Sequence, residues 1–321
     1  MMFSFPDDYF QDEVRRDYLI PAYMKRIWAS TLKVLYNVDK ACETLGITYF
    51  ADCGTLLGAV REKGIIPWDN DIDILMTRKD YDILEKNFKK VFPESYALVG
   101  NRGTSAVLHP YIGMPRIMNS LSVSLTDEWL SENYGCPFPL GIDISILDLC
   151  PDDQSFRDTI FGLSELLLYT ISSQTINPDT PDTLTKLEAV EKLTGKKLDR
   201  NKDILIQLET LYEDIVRSVR PTEAKCYVLW SNCCYHDAVD RVWKKDIFKK
   251  KRVPFETGSI IIPEGYDAVL TSYYGSDYMT PPIDRTSDHS FLDFYINGLK
   301  DFLSKNGDPS FNTLKALGIP V

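Results

Sequence analysis

The chain of 321 residues is 44% hydrophobic and 26% charged, enough apolar material for a sizeable core, which excludes a core-less peptide and an intrinsically disordered segment. Its 36 Lys and Arg against 47 Asp and Glu leave a net charge of −11, a field that repels a nucleic-acid backbone, so no nucleic-acid partner is expected. No apolar run approaches the roughly 20 residues of a spanning helix, the start MMFSFPDDYFQDE is acidic where a secretory leader is basic, and seven cysteines form no CxxC pair; a cytoplasmic protein with reduced thiols is expected, with peripheral contact at the inner membrane face left open.

In chain order, Met24, Trp28, Leu35, Val38, Cys42 and Leu45 recur at close to one helical turn, and Gly46 follows, which predicts an amphipathic helix ending there. Residues 47–52 are β-branched and aromatic, Gly54 and Thr55 break the run, and residues 56–62 suit a short helix: strand, tight turn, helix. Residues 68–76 read WDNDIDILM, with Asp71 and Asp73 alternating with Ile72 and Ile74, a second strand with acids on one face. Thr77 caps a helix over residues 78–92 whose inner side is Tyr81, Leu84 and Phe88. Residues 96–99, 111–117 and 141–146 are further strand candidates, the last carrying Asp143. Beyond Pro151 the pattern turns helical, with helices over residues 156–173 and 201–219 and a connection holding Pro178 and Pro181. A strand at 259–262, a helix at 266–274 stopped by Gly275 and a terminal helix at 290–304 complete the reading.

The chemistry concentrates in the acids. Asp71 and Asp73 lie two residues apart on a predicted strand, so both project from one face about 6.5–7 Å apart along the backbone. Such like charges repel unless a cation or a raised pKa relieves them, and a hard divalent ion can bridge them; a solvated strand face is the plain alternative. A calcium loop of the EF-hand kind does not fit, because Ile74 stands where that loop needs Gly and Asp80 where it needs Glu. Cys233, Cys234 and His236 make a poor zinc site, since adjacent cysteines do not readily face one ion and no second ligand pair follows. Gly54 and Thr55, between strand and helix, offer N–H groups and a hydroxyl to an anion such as phosphate, or form an ordinary turn; Arg61 either faces the same anion or is a surface cation.

The block DCGTLLGAVREKGIIPWDNDID, residues 52–73, resembles the signature of the LicD family, phosphocholine transferases of bacterial surface glycans to which the fukutin-related proteins are similar. The resemblance continues through GIDISILD at 141–148, VPFE at 253–256, PEGY at 263–266 and YGSDYMTPP at 274–282, and covers the chain from about residue 30 to about 290. It implies an α+β, nucleotidyltransferase-like mixed sheet flanked by helices, with a catalytic core over residues 1–150 and a mostly helical region over 151–321 that completes the cleft. It also implies Gly54 and Thr55 at a phosphate turn, Asp71 and Asp73 as a metal pair and Asp143 as the third acid, all three serving catalysis and holding Mg²⁺ or Mn²⁺. Asp69 is read as a supporting group and Asp148 as a cap or loop residue beyond the strand. Arg285 and His289 are candidates for the substrate phosphate, beside Arg61. The Asn70 of WDNDID replaces an acid of the family pattern and points away from Asp71; Glu62 replaces a frequent His, and Ser145-Ile146 replaces Phe-Pro, so the acceptor or leaving nucleotide departs from the type case. The implied reaction is metal-dependent transfer of a phospho-alcohol from a CDP-choline-like donor to a hydroxyl of a cell-surface glycan, such as lipopolysaccharide or teichoic acid. A nucleotidyltransferase of the same fold and a non-catalytic nucleotide- or glycan-binding relative are the alternatives.

Overall fold

A computed structural model describes residues 3–100, 115–230, 241–282 and 290–307, the side chains of residues 7 and 290–295 excepted. Arg285, His289 and the Cys233, Cys234, His236 group lie outside the described residues, as do residues 111–114 of one predicted strand.

A hairpin of β1 (Glu13–Arg15) and β2 (Tyr18–Ile20) leads into helix α1 (Ala22–Leu45). α1 buries Trp28, Leu32, Leu35 and Val38, and Gly46 ends it at φ 66°, a left-handed position that glycine takes without a Cβ clash. Strand β3 (Tyr49–Ala51) enters helix α2 (Cys53–Arg61), so Gly54 and Thr55 are the first turn of a helix and not a separate turn. Strand β4 (Asp73–Thr77) is shorter than the sequence implies: residues 69–72 are irregular, and Asp71 sits just before the strand. Helix α3 (Arg78–Val91) follows, its Asp80 N–H donating to the capping Thr77 hydroxyl, with Tyr81, Leu84 and Phe88 buried as their spacing predicts.

β5 (Ala97–Val99), β6 (Arg116–Met118), the short helix α4 (Asp127–Glu132) and β7 (Gly141–Cys150) come next. β7 runs ten residues, so Asp148 lies within the strand, correcting its reading as a cap or loop residue. The helical region comprises α5 (Gln154–Ile176), α6 (Pro181–Thr194) and α7 (Ile204–Val216). Pro181, expected in a connection, is the first residue of α6, where its missing N–H costs nothing and Thr180 provides the cap. Strands β8 (Cys226–Leu229) and β9 (Val242–Lys244) return to the sheet. A second hairpin, β10 (Lys250–Phe255) with β11 (Gly258–Pro263), precedes α8 (Tyr266–Tyr274), stopped by Gly275, and α9 (Ser290–Asn306).

The seven-stranded sheet is mixed and runs β3-β4-β7-β6-β5, with β8 and β9 added beside β7. β7 is its axis. One edge pairs in parallel with β4 over residues 143–147, and the other pairs antiparallel first with β6 and then with β8. A parallel β4–β7 pair needs a crossover, and α3, β5, β6 and α4 supply it. The sheet is thus an α+β arrangement flanked by helices. One hydrophobic cluster joins α1, the sheet and the β10–β11 hairpin; a second lies among α5, α6, α7, Cys150 and Trp230. Among the described residues no helix is long and apolar enough to cross a membrane.

Candidate functional site

The register of β7 assembles the acids. Asp73, first residue of β4, stands opposite Asp143 on β7, and Asp143 stands opposite Arg116 on β6. Two acids seventy residues apart in sequence are therefore cross-strand neighbours, and a basic residue is on the far side of the second. Asp71 approaches them from the segment before β4, where its charge is felt by Asp73 and that of Asp143 by it. The late start of β4 does not remove Asp69 either: its side chain hydrogen-bonds Asp71, and a Cβ on Gly54 would lie 2.4 Å from its Oδ2. Glycine at 54 is what lets that carboxylate approach the first turn of α2.

Electrostatics mark this cluster as overcharged. The carboxyls of Asp69 and Asp73 are held well above the usual aspartate range, first by burial and then by neighbouring acids. Asp71 is also raised by burial, with Asp143 adding to the rise and Asp69 and Arg116 opposing it. Asp143 has both carboxylate oxygens on the Arg116 guanidinium, through Nε and Nη2. Arg116 is a site residue that the sequence does not announce, because an isolated Arg on a three-residue strand carries no motif; only its pairing with Asp143 reveals it.

Thr55 is buried, and its hydroxyl accepts the Asp73 backbone N–H at 2.9 Å, so it fixes the start of β4 against α2. Asp52, buried just ahead of α2, accepts the Tyr273 hydroxyl at 2.9 Å on one oxygen, and its other oxygen finds no hydrogen-bond partner in the structure. Arg61 is no surface cation: its side chain is 3% exposed, its Nε donates to Glu62 at 2.7 Å and its Nη1 to the Tyr278 carbonyl at 3.1 Å. The loop from α2 to Asp69 is pinned by Glu256 at the tip of the β10–β11 hairpin, which accepts from Ile65 N–H at 2.9 Å and from Arg15 at 2.7 and 3.1 Å.

Two cavities flank Trp68 and Asp69. The larger, about 560 Å³, is bounded by Gly54, Arg61, Trp68, Asp69, Tyr274 and Pro281 among others. That is within the range of small-ligand sites. The smaller, about 240 Å³, is lined by Tyr18, Tyr23, Trp68, Asp69 and Asn70 among others. Trp68 is only partly buried and borders both.

As the side chains stand, no group of three or more His, Cys, Asp or Glu among the described residues could hold a metal ion. Asp143 is engaged on both oxygens by Arg116. The chemistry of the donors nonetheless suits a hard divalent cation, since every candidate ligand is a carboxylate oxygen and the acids repel one another.

Comparison with known proteins adds to this geometry. The family model described as LicD/FKTN/FKRP, nucleotidyltransferase domain, matches residues 46–106, which contain α2, Asp69, Asp71 and Asp73. The lipopolysaccharide cholinephosphotransferase LicD of Haemophilus influenzae is 25% identical over 276 residues, covering 83% of this chain and 95% of that protein. An uncharacterized protein of Rickettsia typhi is 39% identical over 90 residues, 26% of this chain and 28% of its own length.

Proposed function

On the premise that the chain belongs to the LicD family, we propose that it transfers a phospho-alcohol, such as phosphocholine, from a nucleotide diphosphate donor to a hydroxyl of a cell-surface glycan. The observation that carries this reading is the cross-strand pairing of Asp73 with Asp143, which gathers an acid cluster beside the 560 Å³ cavity.

In this reading the acceptor oxygen attacks the phosphorus that bears the alcohol. A new O–P bond forms, the bond to the bridging oxygen breaks, and the nucleoside monophosphate leaves with that oxygen. The acceptor proton passes to a carboxylate of the cluster that the cation does not occupy. The first turn of α2 and Arg61 supply N–H groups and positive charge toward the donor phosphates. Asp71, Asp73 and Asp143 are the residues that would hold Mg²⁺ or Mn²⁺, and such an ion, when bound, offsets the charge that builds on the leaving phosphate. The aromatic edge of the smaller cavity, where Tyr18 and Trp68 rings meet at 6.0 Å and 65°, suits a quaternary ammonium through cation–π attraction.

The test is incubation of the full chain with CDP-choline, Mg²⁺ or Mn²⁺ and a bacterial lipopolysaccharide, following CMP release and the mass gained by the glycan. Metal-dependent CMP release with a phosphocholine mass increment is expected, and chelation by EDTA stops it. Release of phosphocholine with CMP left on the acceptor would indicate nucleotidyl transfer instead. No turnover of any nucleotide-activated alcohol would sink the reading.

A further inference from the structure

Two adjacent tyrosines close α8, and their surroundings differ. Tyr273 is committed: its hydroxyl donates to Asp52 at 2.9 Å and its ring meets Trp243 edge-on at 5.8 Å, which ties the end of α8 to the entry of α2. Tyr274 follows with its ring 6.0 Å from that of Tyr273 and at 78° to it; it is 41% exposed and borders the 560 Å³ cavity. Among the described residues its hydroxyl has no hydrogen-bond partner. Burial raises its phenol, and Cys53, Asp52, Asp69 and Asp73 add to the rise, so the group stays protonated within the field of the acid cluster.

The cavity is short of donors for an anion. Arg61 is the one cation among its described lining residues, against Asp69 and Asp277, and it spends Nε on Glu62 and Nη1 on the Tyr278 carbonyl. The Tyr278 hydroxyl is itself taken by Asp267 at 2.7 Å. Tyr274 brings an uncommitted O–H to the cavity that Gly54, in the first turn of α2, also lines.

We propose that Tyr274 is a substrate contact: its hydroxyl donates a hydrogen bond to a non-bridging oxygen of the donor diphosphate, held between the first turn of α2 and the end of α8. The inference rests on the nucleotide diphosphate donor of the transferase reading. A phenol suits this place because it donates to phosphate without being an ion, whereas a lysine or arginine here would be drawn to Asp69 and Asp73. The clasp of Tyr273 on Asp52 fixes the end of α8 beforehand, so little ordering is spent when the ligand arrives.

The experiment is calorimetric binding of CDP and of inorganic pyrophosphate, each with Mg²⁺, to the full chain and to Tyr274→Phe, which keeps the ring and removes only the oxygen. Both ligands bind the variant about tenfold or more weakly, and by the same factor, because each loses one hydrogen bond to a charged diphosphate. The melting temperature of the ligand-free protein stays the same, since the hydroxyl has no partner to lose. Unchanged affinity of Tyr274→Phe for both ligands overturns the proposal and leaves the transferase reading intact. So does a loss confined to CDP, which puts the contact on the nucleoside, and so does a loss accompanied by early melting, which marks the hydroxyl as a structural group. A wild-type chain that binds neither ligand overturns both readings.

Discussion

β7 carries two buried acids five residues apart, and they live in opposite electrostatic worlds. Asp148, 2% exposed, is gripped by Arg78 at 2.7 Å on both oxygens; Arg78 also meets Glu213 at 3.0 and 3.2 Å, and Glu213 is shared with Arg217, which holds Asp82 at 2.8 Å. This network ties the sheet to α3 and α7 with its hydrogen-bonding capacity satisfied. At Asp143 the Arg116 guanidinium takes both oxygens, while Asp69, Asp71 and Asp73 crowd in, and burial with neighbouring acids holds the Asp69 and Asp73 carboxyls up. Burial raises the Asp148 carboxyl even so, with Arg78 drawing it back down. The comparison teaches that a buried acid by itself says little about function. Charge left unbalanced beside a cavity is what separates a site from a brace.

Breaking the brace has the largest expected effect on stability. Asp148→Ala leaves Arg78 partly unpaired in a buried setting and should cost about 3–5 kcal/mol, read from urea denaturation, with the folded fraction keeping its specific turnover. A loss below about 1 kcal/mol would show that the network is dispensable. At the other acid the signs reverse. Asp73→Asn should lower turnover about 10²-fold or more, yet leave the melting temperature unchanged or higher, since it removes a charge from a repelling group. A melting temperature that drops sharply would mean that Asp73 is a brace too.

Gly54→Ala sharpens the contrast from the backbone side. The new methyl meets Asp69 Oδ2 at 2.4 Å and must displace it, so turnover should fall about tenfold, while helix α2, which gains an alanine, keeps or improves its stability. The smallest effect is expected at Glu209, on α7 near Glu213, whose carboxyl burial, Asp203 and Glu213 push up to about 7. Its proton is held more tightly folded than unfolded. The penalty for ionising it is absent below the ordinary glutamate value, grows as pH rises toward 7 and is complete above that. Glu209→Gln should therefore be neutral near pH 4 and stabilising at pH 8, by about 1 kcal/mol at most because solvent screens a half-exposed group. Equal stability differences at the two pH values would remove Glu209 from the electrostatics of this region.

The sequence by itself determined the local elements whose signals are short-ranged. Helical spacing with Gly46 fixed α1, the Thr77 cap and its apolar stripe fixed α3, and Gly275 fixed the end of α8, because periodicity and capping act within one or two turns. It also named the acids Asp71, Asp73 and Asp143, since an Ile–Asp–Ile alternation is visible within a few residues. Only the tertiary structure decided which partners those acids meet. Asp143 and Asp148 look equivalent in GIDISILD, and nothing within that stretch tells that Arg116 will grip one and Arg78 the other. The length of β7, extended past Asp148 by β8 from some eighty residues downstream, and the loop that carries Asp69 to Gly54 were likewise settled by distant packing. The physical reason is that a carboxylate's role depends on the charges and solvent around it, and in a sheet those come from strands that register, not sequence proximity, brings alongside.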